Sequence, residues 1–312
     1  MCEDFGKMLG AEPFYSTDLG QAFCGDALCL AKKMCADSVN LIVTSPPFAL
    51  RRKKPYDNVD SSGYAEWFMP FAREFHRILR PDGSLVLHLG GSWMEKKPVK
   101  SLYTFELLLR LCKELHFNLA QDVYWYNKAK LPSPAQWVTI KKWRLKDAVD
   151  YLWWLSKTPY PKANNANVLK AYSNSMKELL ANPRYYKANV ERPSKHVVSG
   201  NFHRRNRGAI PANFFDFPNT DSNSRYLRMC RKCGVLPHPA RFPSGLPTFF
   251  INFLTDERDI VLDPFGGSNT TGEAAERLGR RWITFEISEE YLSASRFRFV
   301  SQSDDVIENH KT

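Results

Sequence analysis

The chain has 312 residues, enough for one large α/β domain or two smaller ones, and its 43% hydrophobic and 25% charged content is that of a soluble globular protein. Basic residues outnumber acidic ones by 44 to 33, a formal charge of +11 that favours polyanionic partners without fixing a fold. No apolar run approaches the roughly 18 residues of a membrane span, and the seven cysteines are scattered, as free thiols of a cytoplasmic protein would be.

Residues 1–22 carry no clear pattern and are expected to form a mobile arm. Ala22 to Asp26 reads as a short strand ending in Gly-Asp, and Ala27 to Cys35 has helical apolar spacing, with Asp26 as its N-cap. Leu41-Ile42-Val43 is a buried strand that runs into Thr44-Ser45-Pro46-Pro47-Phe48. Prolines fix φ and carry no N–H, so the carbonyls of Ser45 and Pro46 can be aimed outward. Open α/β sheets bind ligands beyond the carboxyl ends of their strands. Acceptor oxygens beside an aromatic ring suit a planar ring with an exocyclic amino group, such as a nucleobase. Taken alone, a Pro-Pro pair simply stops a strand. Arg51-Arg52-Lys53-Lys54 follows directly. Such a run is usually a solvated loop, but at the mouth of a nucleotide pocket it would grip phosphates.

Tyr64 to Leu79 places Tyr64, Trp67, Phe68, Phe71, Phe75 and Leu79 on one helical stripe, with Pro70 expected to kink the helix or delay its start. Pro81-Asp82-Gly83 is a turn, Ser84 to Leu89 an apolar strand followed by Gly90-Gly91, and Ser101 to His116 an amphipathic helix. Aromatic-rich strands are predicted at 122–127 and 148–155, with a loop at 130–134 between them. From 159 to 236 the composition turns to Asn, Ser, Arg, Lys and Pro, with one helical stretch near 173–180. Phe214, Phe215, Phe217, Tyr226 and Leu227 argue for partial packing there. Arg204, Arg205 and Arg207 form a basic cluster; basic side chains interleaved with Asn and aromatics suit groove readout. Cys230 and Cys233, with His238 nearby, have half the spacing of a zinc site, but no second CxxC completes it, so no metal is expected.

His238 to Pro247 is a Pro-rich turn ahead of an apolar helix through Phe249, Ile251, Phe253 and Leu254. Ile260 to Asp263 is a buried strand, continued by Pro264-Phe265-Gly266-Gly267-Ser268-Asn269-Thr270-Thr271 and a helix. This loop has neither the GxGxxG spacing nor the Walker lysine, so a pyrophosphate cradle is not expected. Trp282 to Glu286 is a strand ending in an acid. Ser288 caps the helix after it, which leaves Glu286 freer for a ligand. Ser295 to Phe299 closes the last helix, ahead of a polar tail.

Ser45-Pro46-Pro47-Phe48 and the stretch Asp263–Thr271 together resemble the amino-methylating DNA methyltransferases that use S-adenosylmethionine (SAM). Ser-Pro-Pro-Phe resembles the catalytic motif of the N4-cytosine branch, and its position ahead of the glycine turn resembles the permuted β arrangement. The resemblance covers nearly the whole chain outside the extreme termini and is most specific at residues 44–48 and 263–271. It implies an α/β, Rossmann-like SAM-dependent methyltransferase fold: a seven-stranded, mostly parallel sheet with a target-recognition insertion. The catalytic part would span 22–158, the recognition region 159–236, and the SAM-binding part of the same domain 237–300.

The same resemblance assigns roles. Ser45 and the Pro46 carbonyl would accept the N–H bonds of the target amino group. Pro47 would stiffen the loop and Phe48 would stack on a base flipped from duplex DNA, with one of Tyr124, Trp125 or Tyr126 beside it. For SAM it implies Asp26 at the adenine, Glu286 at the ribose, and Phe242, in the motif opened by His238, at the methionine end. Asp263, Phe265, Gly266, Gly267, Ser268, Asn269 and Thr270 would form the remaining cofactor loop, where helix-terminal N–H groups hold the carboxylate. Arg51, Arg52, Lys53, Lys54, Arg204, Arg205 and Arg207 are the DNA-binding candidates. Expected partners are double-stranded DNA, a restriction endonuclease as functional counterpart, and a second copy of the chain. Competing readings are N6-adenine methylation, RNA methylation, and a non-catalytic DNA-binding module with a vestigial SAM fold. Adenine-methylating relatives usually carry an acid or amide where Ser45 stands.

Overall fold

The computed structural model describes residues 4–49, 59–182, 206–219, 224–241 and 243–299. These fall into two compact units, one drawn from Met1–Ala163 and Asn213–Thr312, the other from Asn164–Ala212. The larger opens with α1 (Phe5–Leu9) and β1 (Tyr15–Ser16), so the expected mobile arm is ordered from Asp4 onward. The cause is local and apolar: Asp4 caps α1, and Phe5 and Leu9, one turn apart, are both buried in the core. Next come β2 (Gly20–Cys24), α2 (Ala27–Lys33) and β3 (Val39–Thr44). Helix α3 (Tyr64–Ile78) runs through Pro70 without the late start expected. Its buried stripe of Tyr64, Phe68, Phe71 and Phe75 outweighs the one backbone bond that proline forfeits. Strand β4 (Leu79–Leu89) pairs with β3 first through Val39 and Leu79, then through Leu41 and Ser84. The predicted Pro81–Gly83 turn is therefore an irregularity inside one strand.

Helix α4 (Tyr103–Glu114) leads to β5 (Asn118–Tyr126) and, after one π turn at Gln136–Ile140, to β6 (Val149–Ser156). The smaller unit holds a 3-10 turn (Asn165–Val168) and α5 (Asn174–Ala181), capped by Ser173. Within it a bridge joins Lys170 to Ala209. The larger unit resumes with β7 (Phe214–Phe215), α6 (Arg225–Lys232) and α7 (Gly245–Leu254). It closes with β8 (Ile260–Asp263), α8 (Thr270–Arg277), β9 (Arg281–Glu286), α9 (Glu289–Ser295) and a 3-10 turn at Arg296–Arg298. Residues from 213 onward thus pack with the larger unit, through buried Phe215 and Tyr226, and the expected 159–236 region divides at that point.

The strands form one sheet in the order β1-β2-β9-β8-β3-β4-β6-β5-β7. Among the described residues nine strands stand where seven were expected, but β1 and β7 are two-residue edge strands. The block from β2 to β4 is parallel, and β6 is antiparallel to both its neighbours. Period-two alternation sends successive residues to opposite faces. Ile42, Leu85, Leu87, Leu262 and Phe285 meet α1 to α4 on one face. Leu41, Val43, Val86, Val261 and Trp282 meet α7 to α9 on the other. Among the described residues no helix is long and apolar enough to cross a membrane.

Candidate active site

Five parallel strands end at one edge of the sheet, and registry sets their ends within two residues of one another: Cys24 beside Glu286, Asp263 beside Thr284, Thr44 beside Leu87. The loops beyond them enclose a cavity of about 570 Å³. Asp26, Ser45 to Phe48, Phe265 to Ser268, Thr270, His238 and Glu286 all line it. The proline loop and the glycine loop, more than 200 residues apart in sequence, are also joined directly. Thr44 Oγ1 donates to Asp263 Oδ1 at 2.8 Å.

On the glycine side, a Cβ at Gly266 would stand 1.9 Å from Thr284 Oγ1, so no larger residue fits. Gly267 has φ 51, the left-handed region, and lies against the His238 ring. Glu286 is less idle than its sequence position suggests. Its Oε2 accepts the Gly267 N–H at 2.8 Å and its Oε1 the Ser288 N–H at 3.0 Å, while Ser288 caps α9 as expected. Burial pushes the Glu286 carboxyl up, against those backbone bonds. Asp26 caps α2 through the Cys29 N–H at 2.8 Å, as expected, and also lines the cavity. Burial takes His238 down to about 4, so its imidazole is neutral at physiological pH.

Two expected cofactor residues are turned inward instead. Asp263 is 2% exposed and accepts from Thr44, Thr271 and the Phe265 N–H. Burial raises its carboxyl to about 6 despite those donors. Asn269 is fully buried, caps α8 through Gly272 N–H and donates to the Tyr15 hydroxyl. Both brace the loop from behind, because a sharp strand-to-helix turn leaves donors that only its own side chains can reach. A brace the sequence did not disclose is Arg298, from the 3-10 turn after α9. Its Nε donates to the Ser268 carbonyl at 2.5 Å, Nη2 to Ser268 Oγ at 3.1 Å and Nη1 to Glu273 at 2.6 Å.

On the proline side, Ser45 Oγ lies 3.0 Å from His88 Nδ1. Phe48 meets the His88 ring edge-on at 5.2 Å, in space that a Cβ at Gly90 would fill at 2.7 Å. Gly90 thus admits a side chain of the chain itself, Phe48. Pro47 is held by the Tyr64 hydroxyl, which donates to its carbonyl at 2.9 Å. Of the three aromatic candidates on β5, Trp125 lines the cavity. Tyr124 donates to Asp122 at 2.6 Å, and Tyr126 stacks on Phe214. His88, Asp150 and Lys130 also line this end and were not foreseen. The available signal was a single polar residue in each of two apolar strands, His88 within 85–89 and Asp150 within 149–155.

Arg51, Arg52, Lys53, Lys54, Arg204, Arg205 and Phe242 lie outside the described residues; Arg207 is exposed in the smaller unit. A second cavity of about 390 Å³ adjoins the first through Thr270 and Arg241 and is lined by five arginines, Arg225, Arg231, Arg241, Arg277 and Arg298. Cys230 is buried in α6 while Cys233 is exposed. Among the described residues no three His, Cys, Asp or Glu side chains cluster as metal ligands would.

Comparison with known proteins agrees with this layout. The N6/N4 methyltransferase family, described as DNA methylase, matches residues 39–297. The type II methyltransferase M.PvuII of Proteus hauseri is 46% identical over 294 residues, 94% of this chain and 88% of that protein. M.HpaI of Haemophilus parainfluenzae is 27% identical, over 89% of this chain and 74% of its own. The solved structure of the PvuII DNA methyltransferase (cytosine-N4-specific) superposes with a TM-score of 0.77 at 40% identity, covering 96% of this chain and 94% of that one. With its two motif loops on one sheet edge and a match across most of its length, the chain belongs to the N6/N4 DNA methylase family.

Proposed function

We propose that the chain methylates the exocyclic N4 of a cytosine flipped from duplex DNA, with SAM as methyl donor, as the protective member of a restriction–modification pair. The observation that carries this is a single cavity with Ser45, Pro46 and Phe48 at one end and Gly266 to Ser268 and Glu286 at the other. The residues present fit SAM. Gly266, Gly267 and Ser268 line the cavity without large side chains, and an acid ends β9, where a ribose is held in related sheets. When bound, SAM supplies an already activated, electrophilic methyl group.

The chain's own residues position the acceptor. The cytosine N4 lone pair is delocalised into the ring, which makes the amino group a poor nucleophile. Ser45 Oγ and the Pro46 carbonyl accept its two N–H bonds and draw the nitrogen toward tetrahedral geometry, freeing the lone pair. Phe48 and Trp125 hold the ring plane. Positioning and acceptor electrostatics supply most of the rate. Residues 159–236 read the DNA sequence, and Arg51 to Lys54 grip phosphates beside the flipped base. The enzyme acts in the cytoplasm beside an endonuclease of the same specificity. A homodimer is the assembly to test, by sedimentation. The deciding experiment is nucleoside mass analysis of duplex DNA treated with protein and SAM. N4-methylcytosine is the expected product. N6-methyladenine, or methylation of RNA alone, would overturn the reading, and SAM binding without product would make the chain a binding module.

A further inference from the structure

We infer that His88, backed by Asp150 and Lys130, is a proton-accepting relay behind Ser45. It takes the Ser45 hydroxyl proton as Ser45 takes one from the target amino group. The inference rests on the reading that Ser45 receives an amino N–H. Ser45 Oγ and His88 Nδ1 are 3.0 Å apart. Beyond the ring, His88 Nε2 lies 3.8 Å from Asp150 Oδ2, and Lys130 Nζ binds the other carboxylate oxygen. That 3.8 Å separation is electrostatic contact, of the kind that tightens as charge develops on the imidazole. The His88 and Asp150 side chains are 7% and 4% exposed and Lys130 31%, and all three line the cavity beside Ser45.

Strand registry builds this row. Val43 pairs with Val86 and Thr44 with Leu87, so the next step sets Ser45 opposite His88. His88 pairs with Leu152, and Asp150, two residues along β6, shares that face. Asp150 in turn pairs with Trp125. Among the described residues, the charged groups facing His88 include Asp150 from β6 and, behind it, Lys130 from the loop after β5. Phe48 and Trp125 enclose the ring with aromatic edges. Tyr103 of α4 also senses Asp150, but burial pushes its phenol up and it stays neutral. Burial pushes Asp150 up as well; His88 and Lys130 outweigh that and hold the carboxyl below its usual range. An ionised carboxylate favours the tautomer with hydrogen on Nε2, which leaves the Nδ1 lone pair for the Ser45 O–H. With its hydrogen donated to His88, the Ser45 oxygen keeps both lone pairs for amino N–H bonds.

In the transfer, the nitrogen lone pair becomes the N–CH3 bond as the methyl–sulfur bond breaks, and that electron pair stays on sulfur. The nitrogen then holds a methyl and two hydrogens and must lose one proton. Its N–H bond breaks toward Ser45 Oγ while the Ser45 O–H bond breaks toward His88 Nδ1. The imidazolium faces Asp150 and releases its proton to water after the product leaves.

The test uses the full-length protein. Imidazole ¹⁵N shifts of the free protein should show the His88 proton on Nε2 and none on Nδ1. His88→Asn keeps an acceptor for the Ser45 hydroxyl but cannot take its proton. It should lower kcat on the order of 100-fold, with KM for SAM and DNA within about twofold, and should abolish the acidic limb of the kcat profile. Asp150→Asn should move that limb to lower pH and Lys130→Met to higher pH, opposite shifts that a packing role would not produce. A proton on Nδ1 at neutral pH, or His88→Asn with undiminished kcat and an unchanged acidic limb, would overturn the relay. Mass analysis reports the methylated base separately, so an error in the target base and a failure of the relay are told apart.

Discussion

In the proposed reaction Ser45 works through an oxygen that has to be oriented before any substrate arrives, and the 3.0 Å contact with His88 fixes that side chain in the protein itself. Ser45→Ala removes the acceptor but none of the groups at the glycine end of the cavity. Turnover should fall by roughly two orders of magnitude while SAM affinity by calorimetry stays nearly constant. Equal loss of both would reassign Ser45 to the cofactor. Asp263 acts at the same scale but on stability. Its native carboxyl is raised by burial from 3.8 to about 6, so the folded protein holds this proton more tightly than the unfolded chain does. The contribution to folding is complete below about pH 4 and is lost as pH rises through about 6. Between those values the stability advantage of the native protein over Asp263→Asn should shrink, by up to about 3 kcal/mol. Thermal unfolding of both proteins from pH 4 to 7 measures it, and a constant difference would mean the carboxyl titrates normally.

At the scale of elements, the glycine turn is stiffened from three directions. Asn269 caps α8, Glu286 at the end of β9 accepts the Gly267 N–H, and Arg298 after α9 clamps Ser268. Only Arg298 comes from outside the strand–turn–helix and its partner strand, and its side chain is 6% exposed with Glu273 as counter-ion. Hydrogen bonds to a buried charge are worth about 1.5–3 kcal/mol each. Arg298→Ala should therefore weaken SAM binding about tenfold. Arg298→Lys should restore little, since a single ammonium cannot span the Ser268 carbonyl and Glu273 in a planar fork. Calorimetric titration with SAM decides it: an affinity equal to that of the unaltered protein would show that the clamp does not shape the loop.

For the molecule as a whole, the excess of 44 basic over 33 acidic residues acts on DNA collectively. Four of those charges, Arg51 to Lys54, directly follow the catalytic motif, and an arginine-lined cavity adjoins the active site. Each phosphate contact releases counterions and contributes about −0.9 to the slope of log affinity against log salt. Replacing Arg51, Arg52, Lys53 and Lys54 by Ala should reduce the slope by up to about 4, measured by anisotropy on duplex DNA across a salt series. An unchanged slope would return the run to ordinary surface.

Local chemistry was legible in the residues. The cap at Asp26, the cap at Ser288, the glycine turn after Asp263 and the Ser-Pro-Pro-Phe stop all depend on backbone groups within a few positions. The resemblance carried by two of these motifs was enough to expect the methyltransferase fold. Contacts between strands distant in sequence were not legible, because they depend on sheet order and registry, which no short stretch encodes. Folding alone set Thr44 on Asp263, His88 behind Ser45 and Asp150 behind His88. It also buried Asp263 and Asn269 behind the glycine loop, since a side chain's neighbours are chosen by the strand it pairs with and the face it shares.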